Sequence, residues 1–238
     1  MHVVVNAAVS ADGKLSTRRR EQVLISGDDD FARVDRLRAE SDAVLVGIGT
    51  VVADDPHLTL DDPALREERR ERGEDPNPAR VVVDSSARTP PDARILDSAA
   101  TTYVVVSAAT SRTRREALAD AGAEVVVAGA DGRGDGDGHV DGEGRVALSE
   151  ALSELSDRGI DDLMVEGGGE IIYSLFDDDL VDELFLYVGS LVIGGRDAPT
   201  LADGTGFVDS FTRLDLRDVA RVDDGVLLRY DVERGSDS

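Results

Sequence analysis

The chain has 238 residues, with 50 Asp and Glu against 26 Lys and Arg, a net charge of −24 and an isoelectric point near 4.3. Nucleic acids and anionic membrane surfaces are held by Lys and Arg that neutralise phosphate, so a chain this acidic, without a concentrated basic stretch, is excluded from both classes. At 41% hydrophobic and 32% charged residues it is apolar enough to fold around a core, and it reads as a single α/β domain over 1–238.

Val3 to Val9 is rich in β-branched residues and ends at the turn-forming Asp12-Gly13, which predicts a buried first strand. Asp28 to Glu40 opens on carboxylates and sets Phe31, Val34, Leu37 and Arg38 near one face at helical spacing. A second strand follows at Ala43 to Gly47. Residues 61–79 are charged, contain proline and show no consistent apolar period, so they are expected to form a surface excursion. Strands are predicted at Arg80 to Asp84, Thr102 to Ser107 and Glu124 to Ala128, with a helix at Ser111 to Ala121 stopped by Gly122. These apolar runs do not alternate, as expected of parallel strands covered on both faces.

Residues 129–145 are glycine- and aspartate-rich and are expected to be a flexible excursion. The Gly-Asp-Gly-Asp-Gly run within them lacks the spacing and terminal glutamate of a calcium loop, so a solvated linker is the reading there. Further on come a helix at Val146 to Arg158, a strand at Asp162 to Glu166, three glycines opening a helix through Phe176, and a strand at Glu183 to Val188. Arg213 to Val222 and Gly225 to Val232 read as an antiparallel hairpin, and 234–238 as a disordered tail. The predicted fold class is a three-layer α/β/α sandwich with a mostly parallel central sheet and an antiparallel C-terminal hairpin.

The absence of cysteine excludes disulfides, thiolate nucleophiles, iron–sulfur clusters and the usual zinc sites. Only His2, His57 and His139 remain as imidazole ligands, so no metal is expected, and His57, single in its loop, is expected to face solvent. No apolar run approaches 18 residues and the N-terminus has no basic segment before an apolar core, which predicts a cytoplasmic protein without membrane attachment. Carboxylates spread along the whole chain predict a halophilic host, in whose concentrated salt self-repulsion is screened.

Three segments carry the chemistry. In Val165 to Glu170 a strand runs into three glycines that open a helix, where bare backbone and the positive helix end suit a pyrophosphate. The same turn also occurs without a ligand, and the dinucleotide fingerprint G-x-G-x-x-G is absent. Gly47 to Thr59 places two glycines after a strand, then Thr50 and the pair Asp54-Asp55; it reads as a polar pocket or as a helix cap with a turn. Ser10 to Lys14 follows the first strand. In a parallel sheet all three segments lie at strand carboxyl ends, on one edge.

Asn6–Lys14, Leu37–Thr59, Arg80–Ser85, Val165–Gly169 and Gly194-Gly195, in this order and spacing, resemble the reductases of riboflavin biosynthesis, which have the dihydrofolate-reductase-like fold. The resemblance covers nearly the whole chain, and its most specific stretch is G-x-G-T-V-x-x-D-D-P-x-L-T at Gly47–Thr59. It implies that Ala8, Thr50, Asp54, Ser85 and the turn Gly167, Gly168, Gly169 and Glu170 contact NADPH. It also implies that Arg38, Leu58 and Glu166 hold the phosphate-bearing substrate, with Glu166 and Asp54 as the catalytic pair.

The sequence departs from the family pattern where Leu60 is followed by Asp61 instead of a basic residue, which shifts phosphate binding towards Lys14 or Arg18 to Arg20. It departs again near Leu24, where bacterial relatives carry an aromatic. Arg88, Arg112 and Arg114 are equal candidates for the cation that meets a cofactor 2′-phosphate. The zinc-dependent deaminase half of the bacterial enzymes needs cysteines, so the resemblance implies a reductase alone, of the archaeal and fungal type.

The implied activity is NADPH-dependent reduction of 2,5-diamino-6-ribosylamino-4(3H)-pyrimidinone 5′-phosphate to the ribitylamino product, by a homodimer joined through Leu191 to Phe207 and the late hairpin. Alternatives within the enzymes are a reductase of the deaminated 5-amino-6-ribosylaminouracil 5′-phosphate or of dihydrofolate. A non-catalytic nucleotide-binding dimer module is the alternative outside them.

Overall fold

The computed structural model describes residues 1–129, 144–209 and 211–233. Most of the expected glycine–aspartate excursion and the whole expected tail lie outside these residues. In chain order the described elements are β1 (His2–Ser10), α1 (Asp28–Glu40), β2 (Ala43–Gly47), α2 (Ile48–Asp54), α3 (Pro63–Glu71), β3 (Ala79–Val83), β4 (Thr102–Ser107), α4 (Arg112–Asp120), β5 (Glu124–Ala128), α5 (Leu148–Ser156), β6 (Asp162–Gly167), α6 (Gly169–Asp177), β7 (Glu183–Gly189), β8 (Arg213–Val222) and β9 (Gly225–Glu233). By contacts the chain divides into two compact units, Arg38–Leu163 with Met1, and His2–Leu37 with Met164–Ser238.

In the first unit, β5, β4, β3 and β2 lie side by side in that order and all pair in parallel. Ala43 to Val46, Val81, Val82 and Val104 to Val106 are buried, as the unbroken apolar runs predict. One face packs Val44, Val46, Val82, Val104 and Val106 against Ile48, Val51 and Leu58 after β2, and against Ile95 and Leu118. Each fully buried valine or leucine contributes about 1.5–3 kcal/mol relative to exposure.

The stretch expected as a featureless excursion holds α3. Asp62 caps it by accepting from the Ala64 N–H at 2.8 Å, Pro63 occupies the first turn, and Leu65 packs on Leu60 and Ala39. With a single apolar anchor there is no period to read, whereas the Asp-Pro start is the signal that could have found the helix. Buried Arg69 adds the second anchor, donating to the Ala39, Ser41 and Asp75 carbonyls at 2.8 to 2.9 Å, so that it stops α1 by satisfying terminal carbonyls.

In the second unit the strand order is β6, β1, β7, β9, β8. β1 and β7 are parallel, and β7–β9 and β8–β9 are antiparallel, so the late hairpin forms as predicted. Helix α1 spans the predicted residues, but its buried positions are Asp30, Asp35 and Ala39, while Phe31 is half exposed. The expected apolar face is overridden by polar anchoring. Asp223, in the hairpin turn, accepts from the Gly27, Asp29 and Asp30 N–H groups at 3.1 to 3.2 Å and caps the helix from a distance in sequence of nearly 200 residues. Gly27 has to be glycine for this, because a Cβ there would lie 2.6 Å from the Asp223 carboxylate.

Candidate functional site

In the second unit, β1 delivers a turn whose shape is set by side chains. Ser10, fully buried, has its hydroxyl donating to Asp12 at 2.6 Å and accepting from the Lys14 N–H at 3.0 Å. Asp12 in turn accepts from the Ile193 and Gly194 N–H groups at 3.0 and 2.8 Å. The Ser10 hydroxyl and these backbone donors hold its carboxyl at about 2, well below the ordinary aspartate range. Lys14 donates to the Ala198 carbonyl at 3.1 Å and bridges Thr200. Asp12 thus serves the scaffold, a role its place in an ordinary Asp-Gly turn does not disclose.

The same 191–203 segment reaches the glycine turn. The Asp203 N–H donates to the Gly169 carbonyl at 3.0 Å, and a Cβ on Gly169 would stand 2.2 Å from the Thr200 carbonyl oxygen. Gly169 is therefore a packing glycine. Gly169→Ala is expected to cost about 1–3 kcal/mol through overpacking, as a denaturant melt would check. Gly167 differs: its φ of +125° favours glycine, and nothing lies within 4 Å of where its Cβ would be.

Gly168 is the N-cap of α6 and offers no side chain, so no side-chain cap covers the helix start. Open space over Gly167 beside an uncapped helix N-terminus fits a pyrophosphate. Glu166 is half buried immediately before Gly167, and Ala8 is half buried on β1 opposite Tyr187 of β7. Glu170 is exposed and accepts from Arg20 at 3.3 Å, which engages one of the arginines considered for the phosphate.

In the first unit, Thr50 and Asp54 lie one helical turn apart on α2, both half buried. The cap reading fails for Thr50, since the helix starts at Gly47 without a side-chain cap, and the turn falls at Asp55 in the left-handed region. Arg38 donates to the Thr59 carbonyl at 3.3 Å, which brings it to the Leu58–Thr59 stretch. Leu58 has φ +50° and a side chain buried in the core cluster, so its backbone is what a substrate could touch. Ser85 follows β3; its hydroxyl accepts from the Val146 N–H at 3.2 Å and its carbonyl from Thr110 at 2.7 Å.

His57 does not simply face solvent. Its Nε2 lies 2.6 Å from Asp97 Oδ2 and its Nδ1 lies 3.0 Å from the Thr59 hydroxyl. Burial pushes the Asp97 carboxyl up, but the Ala99 N–H, Arg80 and His57 more than offset this and hold it at about 2. An ionised carboxylate only accepts, so the His57 Nε2–H is the donor to Asp97. The chain continues to Arg80, fully buried on β3, which donates to Asp97 Oδ1 at 2.9 Å. Among the described residues no three His, Asp or Glu side chains are grouped to hold a metal, and no helix is long and apolar enough to cross a membrane.

The RibD C-terminal domain family model matches residues 1–228. The 2,5-diamino-6-ribosylamino-4(3H)-pyrimidinone 5′-phosphate reductase of Archaeoglobus fulgidus is 48% identical over 207 residues, 87% of this chain and 88% of that protein. The protein of the same name from Methanothermobacter thermautotrophicus is 40% identical over 235 residues, 98% of both chains. The crystal structure of a pyrimidine reductase-like protein from Corynebacterium diphtheriae shares the fold with a TM-score of 0.80 at 21% identity, over 98% of this chain and 92% of that one. With a model match over nearly its whole length and two relatives at 40% identity or more, the chain belongs to the RibD C-terminal domain family.

Proposed function

We propose that this protein reduces 2,5-diamino-6-ribosylamino-4(3H)-pyrimidinone 5′-phosphate to the ribitylamino product with NADPH. The observation that carries this reading is the 48% identity to a relative of that name over 88% of its length, in a chain whose glycine turn opens an uncapped helix beside Glu166. When bound, NADPH supplies the hydride, which is delivered to C1′ of the ring-opened, imine-like ribose; a proton completes the amine. The protein's residues orient and bind. Gly167 to Glu170, Thr50, Asp54, Ser85 and Ala8 hold the cofactor; Glu166 binds substrate hydroxyls; Asp54 assists orientation or proton supply; Arg38, Lys14 and the Leu58 backbone hold the phosphate. Arginine suits a phosphate because its planar fork donates two parallel hydrogen bonds.

The test is NADPH oxidation at high KCl with the diamino compound and its deaminated counterpart in parallel. Rapid oxidation with the diamino compound alone is expected. Preference for the deaminated compound would instead make it the reductase of that pathway order, dihydrofolate turnover a folate enzyme, and NADPH binding without oxidation a binding module.

Two copies of the chain pair through the hairpin on this reading. β8 is last in its strand order and leaves Leu214, Leu216 and Val219 exposed, an edge that soluble monomers usually protect. The Leu191–Phe207 segment is the other surface for pairing, with Val192 exposed and Phe207 tilted against Tyr173 of α6 at 5.1 Å. A monomeric mass in light scattering would end the pairing. The charge of −24 supports work in the cytoplasm of a salt-accumulating host. The thermal midpoint is accordingly expected to rise steadily with KCl into the molar range, and a flat response would remove the halophilic reading.

A further inference from the structure

We propose that His57 is a positioning residue for the substrate phosphate: held by Asp97 on one side and Thr59 on the other, its imidazole fixes the Leu58–Thr59 backbone that receives that phosphate. This role presupposes the reductase reading above and belongs to a residue that touches neither substrate nor cofactor.

Within the first unit, residues 55–60 are tied to residues 94–100 at several points. The Arg94 N–H donates to Asp55 Oδ1 at 2.8 Å. His57 Nε2 meets Asp97 Oδ2 at 2.6 Å. Asn77 accepts from the Leu60 N–H and donates to the Ala99 carbonyl, both at 3.0 Å. Arg80 donates to the His57 carbonyl at 3.4 Å and to the Asp97 and Ala100 carbonyls. The remaining carbonyls of the stretch are also engaged, that of Thr59 by Arg38 at 3.3 Å and that of Leu60 by Arg66.

These ties leave two adjacent donors open. Among the described residues the Leu58 and Thr59 N–H groups find no acceptor. Leu58 stands at φ +50°, where a leucine persists only if its surroundings hold it. Successive N–H groups beside a left-handed residue form a concavity that suits an anion, and Arg38 adds a cation at the same stretch.

The leucine side chain is held from inside by the core cluster. Its flanks are held by His57, whose Nδ1 lies 3.0 Å from the Thr59 hydroxyl and so joins the two residues on either side of Leu58. The bridge is anchored because Asp97 is itself fixed: its Oδ1 accepts from the Ala99 N–H at 3.0 Å and from Arg80 at 2.9 Å, and its Oδ2 is left for the imidazole. With both ring nitrogens engaged, His57 is placed to orient and not to pass a proton to a substrate. Its side chain is 33% exposed, whereas Arg80 and Asn77 tie the same stretch from buried positions. Loss of the imidazole therefore loosens Leu58 and Thr59 locally and leaves the fold in place.

The test follows NADPH oxidation by the intact protein with the diamino substrate, adding the dephosphorylated compound as a competitor. His57→Ala is expected to raise KM for the phosphorylated substrate about 3- to 10-fold, the worth of one ordinary hydrogen bond. It should leave kcat, the KM for NADPH, the inhibition constant of the dephosphorylated compound and the melting temperature close to the wild-type values. His57→Gln keeps a donor for Asp97 and should recover part of the affinity. Thr59→Val removes the far end of the bridge, and the double variant should be no worse than His57→Ala alone.

An unchanged KM in folded, active His57→Ala would overturn the positioning role and leave the reductase reading in place. Equal weakening of the phosphorylated and dephosphorylated compounds would overturn it too, since the imidazole would then not act through the phosphate. Additive losses from His57→Ala and Thr59→Val would overturn the bridge. Absence of oxidation by the folded wild type with any pyrimidine substrate would overturn the reductase reading, and this role with it.

Discussion

Arg80→Met is expected to destabilise the protein by about 3–5 kcal/mol, the penalty for removing a buried charged donor and stranding its acceptors. Arg80 is fully enclosed on β3, where burial pulls its guanidinium below the usual arginine range and the ion pair with Asp97 works against that. It satisfies a set of groups that apolar chemistry cannot serve. It donates to the Thr102 hydroxyl at 2.9 Å, to Asp97 Oδ1 at 2.9 Å, and to the Asp97, Ala100 and His57 carbonyls. Methionine fills much of the volume and answers none of these acceptors, so the loss exceeds that of the salt bridge alone. The His57–Asp97 bond and with it the Leu58–Thr59 stretch should loosen, so substrate affinity should fall with stability. A denaturant melt that shifts by less than about 1 kcal/mol, the worth of one ordinary hydrogen bond, would mean that water replaces the guanidinium without penalty.

Glu166→Gln is expected to lower kcat by about 10- to 100-fold, the range lost with a charge-assisted hydrogen bond to the substrate, and to leave the melting temperature nearly unchanged. The substitution keeps the size of the side chain and removes its charge. Glu166 stands half buried at the end of β6, next to Gly167, whose open backbone would admit the cofactor. Turnover with bound substrate, NADPH affinity and thermal midpoint need to be followed together. A fall in turnover with unchanged NADPH affinity would place Glu166 on the substrate. A parallel loss of folding would make it structural.

The readability of the site varied with the kind of residue. The glycine turn was legible because three consecutive glycines between an apolar run and a helix have few other uses, yet which glycine packs and which stays open depended on the 200–203 segment lying over Gly169. His57 looked isolated because its partner Asp97 is 40 residues away. Arg88, Arg112 and Arg114 were indistinguishable as letters; in the fold Arg112 pairs with Glu116, Arg114 donates to the Ser86 carbonyl and Arg88 stands by buried Asp84.

The α/β class, the strands, the parallel character of the apolar runs, the hairpin and the family were all readable in the amino-acid order, because they rest on periodicity, unbroken β-branched runs and contiguous motifs, all local in the chain. The cap that Asp223 places on α1, the burial of Asp35 in place of Phe31, helix α3 held by Leu65 and Arg69, and the enclosure of Asp84 became visible only in the folded chain. All four share one cause. Each is a polar or single-residue anchor whose partners the fold supplies, and a hydrogen bond between positions far apart in the chain leaves no period in the sequence to be read.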